Sequence, residues 1–179
     1  LDGIAYADIY FLKDFTFTVK GNLNVRNSDN STYNSAVIGD GKGNMGRGKK
    51  VVYRYKNYTV QEQLRWSHQF GDHTVSALAA HENYWYNYDY LYNYKTDQVL
   101  AGKGNMTNFT VMTDIDGYQV DYRTESYLGR VRYNYKDRYN VEVSFRRDGS
   151  SRFATKARWG NFWSIGANWM ISNEAFMQN

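Results

Sequence analysis

The fold class is decided by one alternating segment: Phe15-Thr16-Phe17-Thr18-Val19-Lys20-Gly21-Asn22-Leu23-Asn24-Val25-Arg26. Apolar residues and one glycine occupy its odd-numbered positions, and polar residues occupy its even-numbered positions, without a break. An alternation of period 2 predicts a β-strand with one apolar and one polar face. Since soluble strands average about 5 to 6 residues, this strand is predicted to be about twice the usual length.

The same alternation returns several times, and no segment carries the apolar stripe of a helix at i, i+3, i+4 and i+7. The sequence therefore predicts an all-β, antiparallel, up-and-down fold of seven strands with little or no helix. The six further predicted strands cover residues 4–11, 51–70, 73–94, 127–135, 139–146 and 163–171.

The connections between these strands alternate in length. Residues 12–14, 71–72 and 136–138 are short enough for hairpins, whereas the others are predicted to be long: 28–49, 95–120 and 147–158. In a meander, every short turn then lies at one end, which is typical of transmembrane β-barrels. A soluble β-sandwich would alternate as well, but its loops need not segregate by length.

An odd number of strands does not close a single-chain bacterial barrel. The seven strands are therefore interpreted as part of a larger barrel domain that includes residues 1–179. Because lipid cannot bond to backbone groups, only a closed ladder or a helix can cross it. The apolar parity is expected to face lipid, and the polar parity is expected to face the lumen: Lys20, Asn22, Arg130, Arg132, Glu142 and Arg146.

Composition excludes several classes of protein. The 179 residues include 22 Lys+Arg and 18 Asp+Glu, and the net charge of +4 is scattered along the chain, so nucleic-acid binding is not predicted. The absence of cysteine excludes disulfides and thiolate metal sites. Residues 75–80 form an apolar run far too short for a membrane helix. Leu1-Asp2-Gly3 has no leader character, so a signal peptide is interpreted as absent or removed.

Tyrosines at alternate positions form the main candidate ligand-binding feature. Such a ladder is typical of an aromatic girdle or of a packed strand above the membrane. That is the favoured interpretation, and the alternative is a stacking wall for sugars or other flat ligands. Loop residues 102–118 are a second candidate for ligand binding. The ladder comprises Tyr84, Tyr86, Tyr88, Tyr90, Tyr92 and Tyr94.

No cofactor, metal site or enzymatic activity is predicted. Asp114, Asp116 and Gly117 resemble the start of a calcium loop, but later ligands are missing, so a solvated loop turn is the favoured interpretation. Residues 43–50 have the spacing of a phosphate loop, but Lys50 replaces the required Ser or Thr and a strand follows. The sequence offers no combination of nucleophile, base and orienting residue.

The last third of the chain carries a specific order of motifs. Strands at 126–135 and 139–146 precede Arg147-Asp148-Gly149-Ser150-Ser151-Arg152-Phe153, then Arg158-Trp159-Gly160, and finally Ile171-Ser172-Asn173-Glu174-Ala175-Phe176. About 50 residues of this order resemble the barrel of the SusC/RagA-type TonB-dependent outer-membrane transporters of Bacteroidota. Residues 66–78 are similar to a hairpin of the same family. Residues 147–153, Trp159 and Gly160 of this motif are interpreted as structural.

The resemblance implies a 22-stranded barrel in the outer membrane of a Gram-negative bacterium. It implies import of oligosaccharides or peptides, driven through the TonB complex, with a SusD-like surface lipoprotein as a lid and outer-membrane lipid around the wall. The plug that contacts TonB is not among these residues. A passive porin-like channel and a soluble β-rich binding module remain alternatives.

Overall fold

The computed structural model describes residues 1–177 and contains one seven-stranded sheet in which every strand pairs with its neighbour in sequence. The predicted all-β, antiparallel, up-and-down architecture is thus confirmed. The strands are β1 (Asp2–Phe11), β2 (Phe15–Asn34), β3 (Arg47–Phe70), β4 (His73–Gln98), β5 (Phe109–Tyr135), β6 (Tyr139–Ser150) and β7 (Trp159–Trp169).

The three short connections are tight hairpins at the predicted residues. Leu12 and Lys13 both have positive φ, and so do Lys136 and Asp137. Two successive residues of positive φ match the right-handed twist of the strands that they join. Gly71 provides the same conformation between β3 and β4 with φ of 59°.

The predicted long connections are wrong in extent, because the strands continue into them. The loops are 35–46, 99–108 and 151–158, and β5 starts at Phe109 inside the segment expected to be a loop. Apart from Tyr33, residues 28–34 and 95–98 are polar on both parities, so alternation gives no signal there. In β5 the apolar positions 109, 111 and 115 do alternate, and the prediction of a loop overlooked them. Backbone pairing needs no apolar face, so the ladder continues where the sequence pattern stops.

The chain separates into two compact units. The long-loop unit comprises Leu1, Asn24–Asn57 and Tyr86–Asp121. Its buried apolar residues are Val51 and Phe109, which are 7% and 1% exposed. A Cβ on Gly48 would lie 2.5 Å from the Phe109 ring, so only glycine fits at that position without movement.

The turn unit comprises Asp2–Leu23, Tyr58–Trp85 and the residues from Tyr122 onward. In its described part the most buried side chains are polar, namely Thr18, Ser126 and Glu174, each 8 to 9% exposed. Its large apolar side chains are instead exposed on one side of the sheet, as described below.

Helical structure within residues 1–177 is restricted to short 3-10 helices. No helix among the described residues is both long and apolar enough to span a membrane. The 3-10 helices are Gly39–Asn44, Met106–Asn108, Thr155–Ala157, Ile171–Asn173 and Ala175–Met177.

Candidate functional site

One face of the turn unit is apolar and open. Val131 pairs with Val143, which pairs with Ile165, so the three side chains lie on the same face of adjacent strands. Phe145 and Trp163 form the next pair on this face. Ile165 is 67% exposed and Trp163 is 77% exposed. A continuous apolar surface of this kind requires an apolar phase or a partner to cover it.

The opposite face carries most of the residues that were predicted to line a lumen. Arg132 forms an ion pair with Glu142 at 2.7 Å, directly across the strand pair. Arg146 is held by Asp148 at 2.7 Å, and the hydroxyls of Ser144 and Ser164 lie 2.8 Å apart. Cross-strand polar pairs therefore satisfy one another along this face.

The other two predicted lumen residues on β2 are less well connected. Lys20 is exposed, whereas the amide oxygen Oδ1 of Asn22 is buried without a hydrogen-bond partner among the described residues. On the same strand, the Thr18 hydroxyl donates to Asp8 at 2.5 Å. That these residues line a lumen stays a prediction.

Aromatic rings concentrate at the end of the turn unit that carries the short turns. Tyr139 stacks on Tyr135 and on Trp169, each at a centroid distance of 6.3 Å. Glu174 accepts hydrogen bonds from Tyr139 Oη at 2.7 Å, from Trp169 Nε1 at 3.0 Å and from Arg138 Nη1 at 3.1 Å. These contacts lower the pKa of Glu174, the Tyr139 hydrogen bond contributing most.

The structure divides the predicted tyrosine ladder. In the long-loop unit, Tyr88 contacts Tyr55 at a ring-centroid distance of 4.7 Å and Tyr118 at 5.7 Å. Tyr90 contacts Tyr53 at 5.4 Å and Tyr118 at 5.1 Å. We call these five residues the tyrosine cluster. Sequence analysis missed Tyr53, Tyr55 and Tyr118. These residues lie on β3 and β5 and contact the rings of β4 only because the strands pair.

Four members of the tyrosine cluster are half-buried, and the fifth, Tyr118, is 51% exposed. Burial raises the pKa of Tyr88, and the hydroxyls of Tyr118 and Tyr55 raise it further. A hydroxyl that stays neutral can both donate and accept hydrogen bonds, which suits recognition of polar, uncharged ligands.

The remaining members of the ladder have different surroundings. Lys49 Nζ lies 5.3 Å from the ring centroid of Tyr92. In the turn unit, Tyr84 contacts Tyr122 at 5.9 Å. Tyr86 and Tyr94 are half-buried.

The loops of the long-loop unit are held by specific side chains. Asn108 donates to the carbonyl oxygens of Leu100 at 2.8 Å and Lys103 at 2.7 Å, and it accepts from the Leu100 amide at 3.0 Å. The Tyr33 hydroxyl accepts from Gln98 at 2.8 Å and from the Gly102 amide at 3.1 Å. The Gln98 contact is the main cause of a lowered Tyr33 pKa.

The candidate loop 102–118 is corrected by the structure, since its second half belongs to β5. Asp114, Asp116 and Gly117 thus lie in a strand, and the interpretation as a loop turn is wrong. Asp114 and Asp116 share one face of this strand, but an extended strand does not wrap its oxygen atoms around one ion as a calcium-binding loop does. Within residues 1–177 no cluster of three or more acidic or histidine side chains could hold a metal ion.

Known proteins resemble this chain over almost its whole length. It is 30% identical over 184 residues to TonB-dependent receptor P39 of Formosa agariphila, a match that covers 97% of this chain and 17% of that protein. It is 43% identical over 54 residues to TonB-dependent receptor SusC of Bacteroides thetaiotaomicron, covering 30% of this chain and 5% of SusC. No protein-family model matches the sequence.

The fold is also shared with a solved structure. The RagAB peptide transporter structure superimposes with a TM-score of 0.92 and 20% sequence identity, over 99% of this chain and 20% of that chain. The chain is a barrel segment of the SusC/RagA type. This SusC/RagA-type segment spans only about a fifth of the length of the proteins that it matches.

Four residues of the family motif make close contacts with aromatic rings or contribute one. Gly149 pairs with Trp159, and a Cβ on Gly149 would lie 2.8 Å from the indole ring. Arg147 lies over the same ring at 4.9 Å, and Arg152 lies over Tyr122 at 3.8 Å. Cation–π contacts of this kind fix the guanidinium groups in place.

The rest of the motif joins β6 to β7. Asp148 pairs with Gly160 across the two strands. The amide of Ser151 bonds to Arg123 O at 2.9 Å, and the Ser151 hydroxyl accepts from the Arg123 amide at 2.8 Å. The Ser150 amide donates a hydrogen bond to the carbonyl oxygen of Arg158 at 3.1 Å. The side chain of Phe153 is 60% exposed.

Proposed function

We propose that this chain is part of the β-barrel domain of an outer-membrane TonB-dependent importer of oligosaccharides or peptides. In this proposal residues 1–179 belong to one barrel, while the plug, the TonB-contacting segment and the signal peptide lie outside this chain. A SusD-like surface lipoprotein acts as the lid. One observation carries the proposal: 97% of the chain aligns with a TonB-dependent receptor.

The two faces of the turn unit support a membrane position. The apolar face would contact lipid and the polar face would line the lumen, since lipid-facing and lumen-facing residues alternate along barrel strands. On β5, eight residues separate Tyr127 from Tyr135, or about 26 Å at roughly 3.3 Å per residue. A tilt of roughly 40° reduces this to about 20 Å, close to the height of ~25 Å for a barrel's apolar band.

The segment would contribute a wall and a contact surface rather than chemistry. Its polar face is crossed by fixed ion pairs such as Arg132–Glu142, which would position a plug or a passing solute without breaking bonds. The tyrosine cluster supports a ligand-contact role in the long-loop unit, because grouped rings with neutral hydroxyls offer both apolar area and hydrogen bonds.

The first experiment measures the intact mass of the polypeptide that carries this chain, extracted in detergent from the outer membrane of its source. A mass several times 21.0 kDa, with a plug-sized N-terminal region, supports the importer. A large barrel without a plug supports a passive channel instead, and a polypeptide near this mass in the soluble fraction supports a binding module.

Uptake then tests coupling and the tyrosine cluster. Uptake of an oligosaccharide and a peptide mixture by cells with and without TonB should differ, with loss in the cells lacking TonB. Tyr88→Ala should reduce uptake, and Tyr88→Phe should retain most of it because the ring is preserved. Tyr6→Ala, at a 72% exposed position on β1, is the control. Uptake that is independent of TonB contradicts the proposed function.

A further inference from the structure

A second polar site lies in the turn unit, away from the tyrosine cluster. A cavity of about 410 Å³ opens between loop 151–158 and strands β4 to β7. Pockets for small ligands usually measure about 300 to 1,000 Å³. We call it the motif cavity, and the residues that matter for its chemistry are Glu82, Ser126, Arg146, Asp148, Arg158 and Phe162.

The polar groups of the motif cavity are held in fixed positions. Arg146 Nε bonds both carboxylate oxygens of Asp148, at 2.7 and 2.9 Å. Arg146 Nη2 lies 3.4 Å from the hydroxyl of Ser126, which is only 8% exposed. Glu82 accepts a hydrogen bond from Gln61. Donors and acceptors are therefore arranged before any ligand arrives.

One donor in this cavity lacks an acceptor. Arg158 Nε is buried and has no hydrogen-bond partner among the described residues. A buried N–H group without a partner is costly to the folded state. Because Arg158 lines the motif cavity, a ligand oxygen that draws its guanidinium group toward the cavity would remove that cost.

Two phenylalanine rings border the same polar groups. Phe153 is 60% exposed and Phe162 is 57% exposed. By alternation, Phe162 shares a face of β7 with Ser164 and Gly166, so it is an aromatic residue on the polar side of the strand. Exposed rings beside fixed hydrogen-bonding groups provide an apolar surface and directional contacts together.

The charges of the motif cavity favour an uncharged ligand. The carboxylates of Glu82 and Asp148 offset the guanidinium groups of Arg146 and Arg158, so neither an anion nor a cation gains a net attraction. A hydroxyl group can donate to a carboxylate and accept from a guanidinium. A sugar ring offers several hydroxyls and a C–H face for the phenylalanine rings.

We propose that the motif cavity binds one ring of a neutral oligosaccharide, with Arg158 donating to a ring or hydroxyl oxygen and Phe162 covering the C–H face. This inference rests on the proposed importer function and specifies its substrate class. A short peptide is the competing ligand, and the test separates the two.

The test measures binding by calorimetry on the full-length, detergent-purified protein that carries this chain. The probes are α-linked and β-linked glucose hexamers and an uncharged hexapeptide. The Kd of a bound hexamer should rise about tenfold or more in Phe162→Ala and in Arg158→Gln, as expected for the loss of ~1.4 kcal/mol. Phe176→Ala and Arg65→Gln are matched controls, because these residues lie outside the cavity.

Several outcomes would overturn the inference: neither hexamer binds, the hexapeptide alone binds and depends on Phe162, or both variants bind like wild type. The inference is also overturned if Phe162→Ala and Arg158→Gln fail to fold while Phe162→Leu and Arg158→Lys fold and bind the hexamer with unchanged Kd. The motif cavity would then have a purely structural role. TonB-dependent uptake of wild type is measured in parallel, so failure of the importer proposal is recognised separately.

Discussion

Tyr139 donates a hydrogen bond of 2.7 Å from its hydroxyl to Oε1 of Glu174, 35 residues further along the chain. The glutamate is 9% exposed and receives further hydrogen bonds from Trp169 and Arg138. One carboxylate thus ties the start of β6 and the end of β7 to the segment that follows them. The rings of Tyr139 and Trp169 are thus joined by a shared carboxylate as well as by their stacking contact.

Glu174→Gln should lower the melting temperature of the detergent-solubilised protein at neutral pH. The amide loses the charge that strengthens the three hydrogen bonds, because bonds to an ionised acceptor are stronger than neutral ones. Thermal unfolding followed by tryptophan fluorescence measures the change. Glu142→Gln is the control, since its more exposed pair with Arg132 should contribute less than ~1 kcal/mol.

The effect of Glu174→Gln should depend on pH. The pKa of Glu174 is lowered in the folded state, so its contribution is present above the pKa of the unfolded chain and is lost as pH falls through the folded value. The difference in melting temperature between wild type and variant should therefore begin to shrink as pH falls below about 4.5 and should go on shrinking at lower pH. A difference that stays constant to the lowest pH at which both proteins are folded would contradict the assignment.

A charge added on one face of β6 should cost more stability than a charge added on the other. Val143→Arg should destabilise the barrel in lipid vesicles by about 2 to 4 kcal/mol if the residue lies near the bilayer midplane. Ser144→Arg, one residue away on the polar face, should cost about 1 kcal/mol or less, through the lost hydrogen bond to Ser164. Urea unfolding of the full-length protein in vesicles measures both, and equal costs would argue against a lipid-facing apolar side.

Gly48→Ala should destabilise the long-loop unit by about 1 to 3 kcal/mol, as overpacking usually does. The added Cβ would lie 2.5 Å from the ring of buried Phe109. Gly43→Ala is the matched control, because a Cβ there has nothing within 4 Å. Hydrogen exchange of β3 and β5 amides measures the local change, and equal protection in the two variants would refute close packing at Gly48.

Asn108→Ala should loosen loop 99–108 at a local cost of about 0.5 to 1.5 kcal/mol, the net contribution of a typical hydrogen bond, because the exposed backbone groups of Leu100 and Lys103 lose their contacts with the Asn108 side chain. Limited proteolysis should cut the loop faster than in wild type. Asn105→Ala provides the comparison, since Asn105 makes no side-chain capping hydrogen bond. Resistance of the Asn108 variant equal to wild type would show that the loop is held by other contacts.

The sequence by itself determined the all-β class, the seven strands, the short turns and the family type. Alternation reports which residues share a face, as in residues 15–26, and a hairpin turn needs only local backbone conformations, as at Leu12 and Lys13. These features depend on near neighbours in the chain, so a linear pattern carries them.

Tertiary structure alone decided where the strands end and which distant residues meet. Residues 28–34 and 95–98 have no alternating apolar face, yet they belong to β2 and β4. The meeting of Tyr88 with Tyr55 and Tyr118 depends on the register between strands. A shift by one residue would turn every side chain to the other face, and backbone pairing fixes that register across residues far apart in sequence.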